Sequence, residues 1–150
     1  MATVKEPPLR LELRLLPVLP SLDALAALET SKAIAAVKAG LDAGLIRKLA
    51  AQLQVGLEEL AVPLHLTERT LHRRLEEGRL ALDESERLLG LIKIFALAKQ
   101  ILGSGAKAVH WFKSPLPVLN GKTPLECAET QIGLREIEDI LIRIEDVVYS

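Results

Sequence analysis

One stretch of this chain restricts its fold more than any other. From 83 to 102 it carries Leu88, Leu89, Leu91, Ile92, Ile94, Phe95, Leu97, Ile101 and Leu102, so a helix there is apolar nearly all round. Such a helix belongs in the middle of a bundle, with other helices laid against it. Its longest apolar run, 88–98, is broken by Gly90 and Lys93 and falls short of the roughly 20 residues that cross a bilayer. The rest of the composition agrees with an all-α chain. Hydrophobic residues make up 49%, mostly leucine and alanine, which favour helices, and aromatics only 3%, which argues against a β-sandwich or barrel. At 150 residues the chain is one domain, or two small ones sharing a core.

The helical segments can be placed by their caps and spacing. Residues 9–15 alternate apolar groups with Arg10, Glu12 and Arg14 and are bracketed by Pro7, Pro8, Pro17 and Pro20, which suggests a short strand or extended arm. No second strand candidate exists, so this arm either pairs with its own copy in a second subunit or is disordered. Ser21 caps a helix expected to reach Glu29, and Thr30 or Ser31 caps the next, running toward Gly40. Leu41, Leu45, Leu49 and Leu53 share one face of a helix over 41–53. Two short helices follow at 57–64 and 68–77. Asp83 with Glu86 reads as the cap of the long helix, and Ser104 starts a helix ending around Trp111 and Phe112. Trp111 is expected to pack in the core against the final helix, with an interface anchor as the lesser reading. Residues 114–122 read as a loop. Thr123, Pro124 and Glu126 form a strong helix start, and after Gly133 a last helix places Ile137, Ile140, Leu141, Ile144 and Val148 on one stripe. These segments divide the chain into an arm at 1–20, a unit at 21–82 and a unit at 83–150.

Residues 57–75, LEELAVPLHLTERTLHRRL, have the layout of a helix-turn-helix. Ala61 is the small residue where the two helices touch. Leu60, Leu64, Leu66, Leu71 and Leu75 supply their shared core, and Thr67 is the N-cap of the second helix. With Leu71 and Leu75 inward, Arg69, Thr70, Arg73 and Arg74 face mainly outward, with His72 beside them. Such groups suit the major groove and its phosphates, with Thr67 at the leading end of the helix. The alternative is a helical hairpin whose arginines only solvate a surface. His65 stands where such a turn usually has glycine, which calls for a positive φ, and Pro63 removes a backbone donor. The charge excess from His65 to Arg74 is modest, so tight binding needs two or more copies on one palindromic or repeated site.

Other motifs carry no chemistry. Gly121, Lys122 and Thr123 match the end of a phosphate-binding loop, but Leu116 stands where that motif has another glycine. Gly103, Ser104 and Gly105 read as a turn. His65, His72 and His110 are scattered, and the single Cys127 cannot form an internal disulfide and reads as a small buried residue. No active site, metal site or cofactor site is expected. With 19 basic against 20 acidic residues, the net charge of −1 excludes a wholly basic nucleic-acid coat protein. The start, MATVKEPP, has no apolar leader core, and a cytoplasmic location is expected. From Glu126 to the end there are seven acids against Arg135 and Arg143, and the chain closes on Val147, Val148 and Tyr149. This end is either a solvated tail or a peg for a basic pocket on a partner.

Over residues 40–150 the chain resembles the Xre/MbcA/ParS antitoxins encoded beside RES-domain toxins. LTERTLHRRLEEG, LDESERLLGL, AVHWFKSPLPVLNGKTPLE and QIGLREIEDILIRIEDVVYS follow one another in the family's order. The resemblance implies a helix-turn-helix bundle followed by a small helical toxin-binding domain. It also implies a non-enzymatic antitoxin that neutralises a cognate NAD-depleting RES toxin by contact and represses its own operon. DNA binding then maps onto Thr67, Arg69, Thr70, His72, Arg73 and Arg74, and toxin binding onto Glu145, Asp146, Val147, Val148, Tyr149 and Ser150. The expected partners are the toxin, operator DNA and a second copy within a larger complex. The family often has glycine where Val147 sits, so here the last helix is expected to run on. The alternative is a plain transcriptional regulator whose C-terminal half only dimerises or binds an effector.

Overall fold

The computed structural model of the chain describes residues 20–149, so most of the arm assigned to 1–20 lies outside the described residues. Within them the chain is all-α: α1 Leu22–Ala26, α2 Thr30–Ala39, α3 Gly44–Leu53, α4 Leu57–Ala61, α5 Glu68–Glu77, α6 Leu82–Leu102, α7 Gly105–Phe112, α8 Pro124–Cys127 and α9 Gln131–Tyr149. Among the described residues no single helix is long and apolar enough to cross a membrane.

α6 is the central helix, as its all-round apolar surface requires: α1, α2, α7 and α9 all pack on it. Leu88, Ile92 and Ala98 of α6 are at most 1% exposed, and one continuous core runs from Leu22 of α1 to Leu141 of α9. The start of α6 differs from expectation. It begins at Leu82, and the carboxylate of Glu84 accepts from the Ala81 N–H at 2.8 Å. Glu84 holds the third helical position, from which a carboxylate reaches back to the N-cap amide. Asp83 instead receives a 3.4 Å contact from Arg87 one turn on.

Several other boundaries shift for local reasons. The Ser21 hydroxyl accepts from the Ala24 N–H, but α1 ends at Ala26, and α2 starts at Thr30 with no side-chain cap bond from Glu29. Leu41 precedes α3, which starts only at Gly44, with the Asp42 carboxylate accepting from the Gly44 N–H. Leu41 still joins Leu45, Leu49 and Leu53 in the core, and its N–H donates to the buried Ser85 hydroxyl of α6 at 2.9 Å. Residues 114–122 contain a 3-10 turn, Pro117–Leu119, closed by left-handed Asn120 and Gly121. The full capping box predicted at Thr123 and Glu126 is present.

α9 starts at Gln131, two residues before the expected glycine. Gly133 is there for a close approach: a Cβ at this position would run into the backbone carbonyl of Cys127. Trp111 packs edge-on to Phe112, which meets Phe95 of α6. Its helix, α7, lies on α6, α3 and α8 rather than chiefly on α9. Cys127 is half-buried.

Candidate DNA-reading helix and C-terminal helix

The helix-turn-helix forms as its leucines dictate. Leu60, Ala61 and Leu64 are at most 4% exposed, and Leu66 and Leu71 close the shared core from the other side. Thr67 sits in extended backbone, its Oγ1 accepts from the Thr70 N–H at 3.1 Å, and Gly78 ends α5 in the left-handed region. His65 has φ +58, the left-handed turn geometry that its place in the motif demands. Its ring makes a second contact that the motif does not explain: Nε2 donates to the carbonyl of Glu129, 2.6 Å away, between α8 and α9. Pro63 is buried in the turn, where the Leu66 N–H donates to the Ala61 carbonyl and the His65 N–H to the Val62 carbonyl.

α5 does not present all its polar groups alike. Arg69 is exposed and has no acidic partner among the described residues. His72 is exposed and lies 3.9 Å from Glu68, and Arg73 is exposed at 3.7 Å from Glu77. Contacts of this kind between solvated groups on one helix hold little energy. Thr70 is half-buried, its hydroxyl accepting from Thr67 at 3.0 Å. Arg74 departs from the outward placement expected of it. Its Nε and second terminal nitrogen donate to the two oxygens of Glu84 at 2.7 and 3.3 Å, and its other terminal nitrogen to Glu77 at 3.1 Å. Its hydrogen bonds to Glu84 and then to Glu77 raise its pKa above the ordinary arginine value. The side chain of Arg74 is 21% exposed and that of Glu84 only 10%, so this forked pair ties α5 to the first turn of α6. Glu84 was not among the residues singled out in the sequence. It lies ten positions beyond Arg74, across a loop, where helical spacing gives no signal.

The electrostatics of this face are mixed. Exposed Glu58 and Glu59 lie on α4, and exposed Glu68, Glu76 and Glu77 share α5 with Arg69 and Arg73. The surface therefore offers few uncompensated positive charges to a phosphate backbone.

The C-terminal end of α9 is the second candidate site. Leu134, Ile137 and Leu141 face the core, while the helix runs on through Val147 to Tyr149. Val147 and Val148 are 79% and 60% exposed, Asp146 is exposed and Glu145 half-buried. Ser150 lies outside the described residues. With Ile140, Arg143 and Ile144, the two valines line a shallow and almost wholly apolar groove, closed on the far side by Val118 of the 3-10 turn. Val118 was not expected here, because the loop between Pro115 and Asn120 brings it to α9 only through the fold. Among the described residues no three His, Cys, Asp or Glu side chains are placed to hold a metal ion.

Two family descriptions match the chain in sequence order. Residues 32–93 match the antitoxin Xre-like helix-turn-helix domain, and residues 97–146 the antitoxin Xre/MbcA/ParS C-terminal toxin-binding domain. An antitoxin Xre of Pseudomonas putida is 35% identical over 79 residues, 52% of this chain and 50% of that relative. An antitoxin Xre of Yersinia enterocolitica is 27% identical over 76% of this chain and 78% of its own length. A protein of a Sphingobium species named Prs ADP-ribosylating antitoxin is 23% identical over 78% of this chain and 80% of its own length. The chain thus spans half the length of the first of these relatives and about four-fifths of the other two. With the helix-turn-helix match over α2–α5 and most of α6, and the toxin-binding match from the end of α6 to α9, the chain belongs to the Xre/MbcA/ParS antitoxin family.

Proposed function

We propose that this chain neutralises a cognate toxin by direct contact through the end of α9, and represses the operon encoding both proteins through α5. The observation that carries the first half is the apolar groove at the end of α9, within and just beyond the toxin-binding match. Val147 and Val148 stand largely in water, and seating them against a partner is worth about 1.5–3 kcal/mol per side chain. Glu145 and Asp146 give the same end an acidic flank. A toxin of the RES type, which depletes NAD, needs a basic pocket for the dinucleotide's pyrophosphate, and an acidic helix end with an apolar tip suits that pocket. Glu145, Asp146, Val147, Val148, Tyr149 and Ser150 are therefore assigned to toxin contact and to occlusion of its active site. The chain is itself no enzyme in this reading, and acts in the cytoplasm.

For DNA, Arg69 and Arg73 are the groups that reach phosphate or a guanine edge, with Thr67, Thr70 and His72 at the leading end and side of the helix. Arg74 supports the helix from behind instead. The sparse positive charge favours a homodimer on two half-sites, each copy contributing few phosphate contacts. The name of the Sphingobium relative favours a second version of the toxin reading, in which the partner uses NAD to modify a target protein rather than simply hydrolysing it.

Co-expression tests the proposal. The neighbouring toxin gene alone should arrest growth while cellular NAD falls, and this chain should reverse both. A chain lacking residues 147–150 should fold, bind less tightly and fail to protect. Full protection by the shortened chain would overturn occlusion. Failure of the full chain to protect would leave the plain regulator. Free ADP-ribose against protein-bound label separates the two toxin chemistries.

A further inference from the structure

We infer that His65 is a positioning residue through which occupancy of α9 is felt by α5; this rests on the two-ended reading proposed above. His65 is held at φ +58, where glycine is favoured and a histidine is strained, and its ring is the part that glycine lacks. That ring donates from Nε2 to the Glu129 carbonyl. Glu129 belongs to a tightly locked joint. The next residue, Thr130, accepts from the Gly133 N–H through its Oγ1 at 2.9 Å, and Gly133 rests directly on the Cys127 carbonyl.

On the other side of the contact, His65 is two residues from Thr67, the N-cap of α5. A helix-turn-helix reads DNA mainly with the first turn of its second helix, so a displacement of this turn acts on the contacting groups. α9 is a rod of about 28 Å. A load on Val147 and Val148 at its far end pivots it where Gly133 meets Cys127, moves the Glu129 carbonyl, and through the 2.6 Å hydrogen bond moves the turn. Packed elements respond to such loads by small discrete shifts rather than by bending.

The experiment titrates the full chain onto a duplex carrying the sequence upstream of its own gene, with and without the product of the neighbouring toxin gene. Wild type, His65→Gly and His65→Gln are compared. Glycine takes φ +58 without strain, so His65→Gly keeps the turn and deletes only the link. Glutamine retains a side-chain N–H donor, and this chain already holds Gln54 at φ +57. The toxin should change wild-type operator affinity by about fivefold or more. His65→Gly should reduce that change to less than about twofold, and His65→Gln should restore most of it. Unchanged coupling in His65→Gly, or toxin and DNA both bound by the wild type without coupling, overturns the link alone. If the wild type binds no toxin or no operator, the two-ended reading fails and the link falls with it.

Discussion

Arg69 and Arg74 lie on the same helix in different surroundings. Arg69 is exposed and without an acidic partner among the described residues, whereas Arg74 is clamped between Glu84 and Glu77. Arg74→Ala leaves the Glu84 carboxylate without its cation in a site that is mostly closed to water. That loss should lower stability by about 2–3 kcal/mol. Arg69→Ala should leave stability within about 0.5 kcal/mol and weaken operator binding instead. Urea midpoints at unchanged slope read the first effect, and a DNA titration reads the second. Equal urea midpoints for the two variants would mean that the clamp carries no stability. The sequence placed all three arginines of α5 outward. Helical spacing puts Arg74 beside Leu71 and Leu75, on the flank of the buried face, which is a local hint of its inward turn. Its partner Glu84 has no such signal, because loop geometry brings it there.

At the scale of elements, the helices were legible wherever apolar spacing and a cap coincided. α5 has both, in Leu71 and Leu75 with Thr67, and its bounds match expectation. α6 was legible as a buried helix, but its start was misread because Asp83 and Glu86 imitate a cap that Glu84 in fact makes. The start of α9 was hidden for a different reason: Gly133 looks like a helix stop, yet it is a contact point inside the first turn. Gly133→Ala should therefore destabilise by about 3 kcal/mol despite alanine's better helix propensity, because the obstacle is backbone. Gly105 is the contrasting case. Its added Cβ would come no nearer than 3.9 Å to the Lys99 side chain, so Gly105→Ala in the first turn of α7 should stabilise by up to about 1 kcal/mol. At about 2–4 °C per kcal/mol for a chain of this size, thermal unfolding separates the two with opposite signs. A rise in midpoint for both would show that the joint between α8 and α9 yields without cost.

For the whole molecule, the question is whether the two matched regions are two folding units or one. Sequence patterning divides the chain at 82–83, which in the structure is the first turn of α6. The apolar surface of that helix is not split between the halves: α1 and α2 cover part of it, and α7 and α9 cover the rest. Gly90 of α6 adds a close seat for Leu134 of α9, while Ser85 of the same helix holds the Leu41 backbone ahead of α3. Neither region can bury its own face without α6, and no local periodicity reports such sharing. The chain should then unfold in a single step. Trp111, the only tryptophan, reports from the C-terminal half, and far-ultraviolet circular dichroism reports from every helix. Their urea transitions should coincide in midpoint and slope. A fragment ending at residue 82 should lack a cooperative transition, and one extended to residue 102 should regain part of it. If the fragment ending at 82 unfolds cooperatively, the helix-turn-helix folds without α6, and the single-unit reading fails.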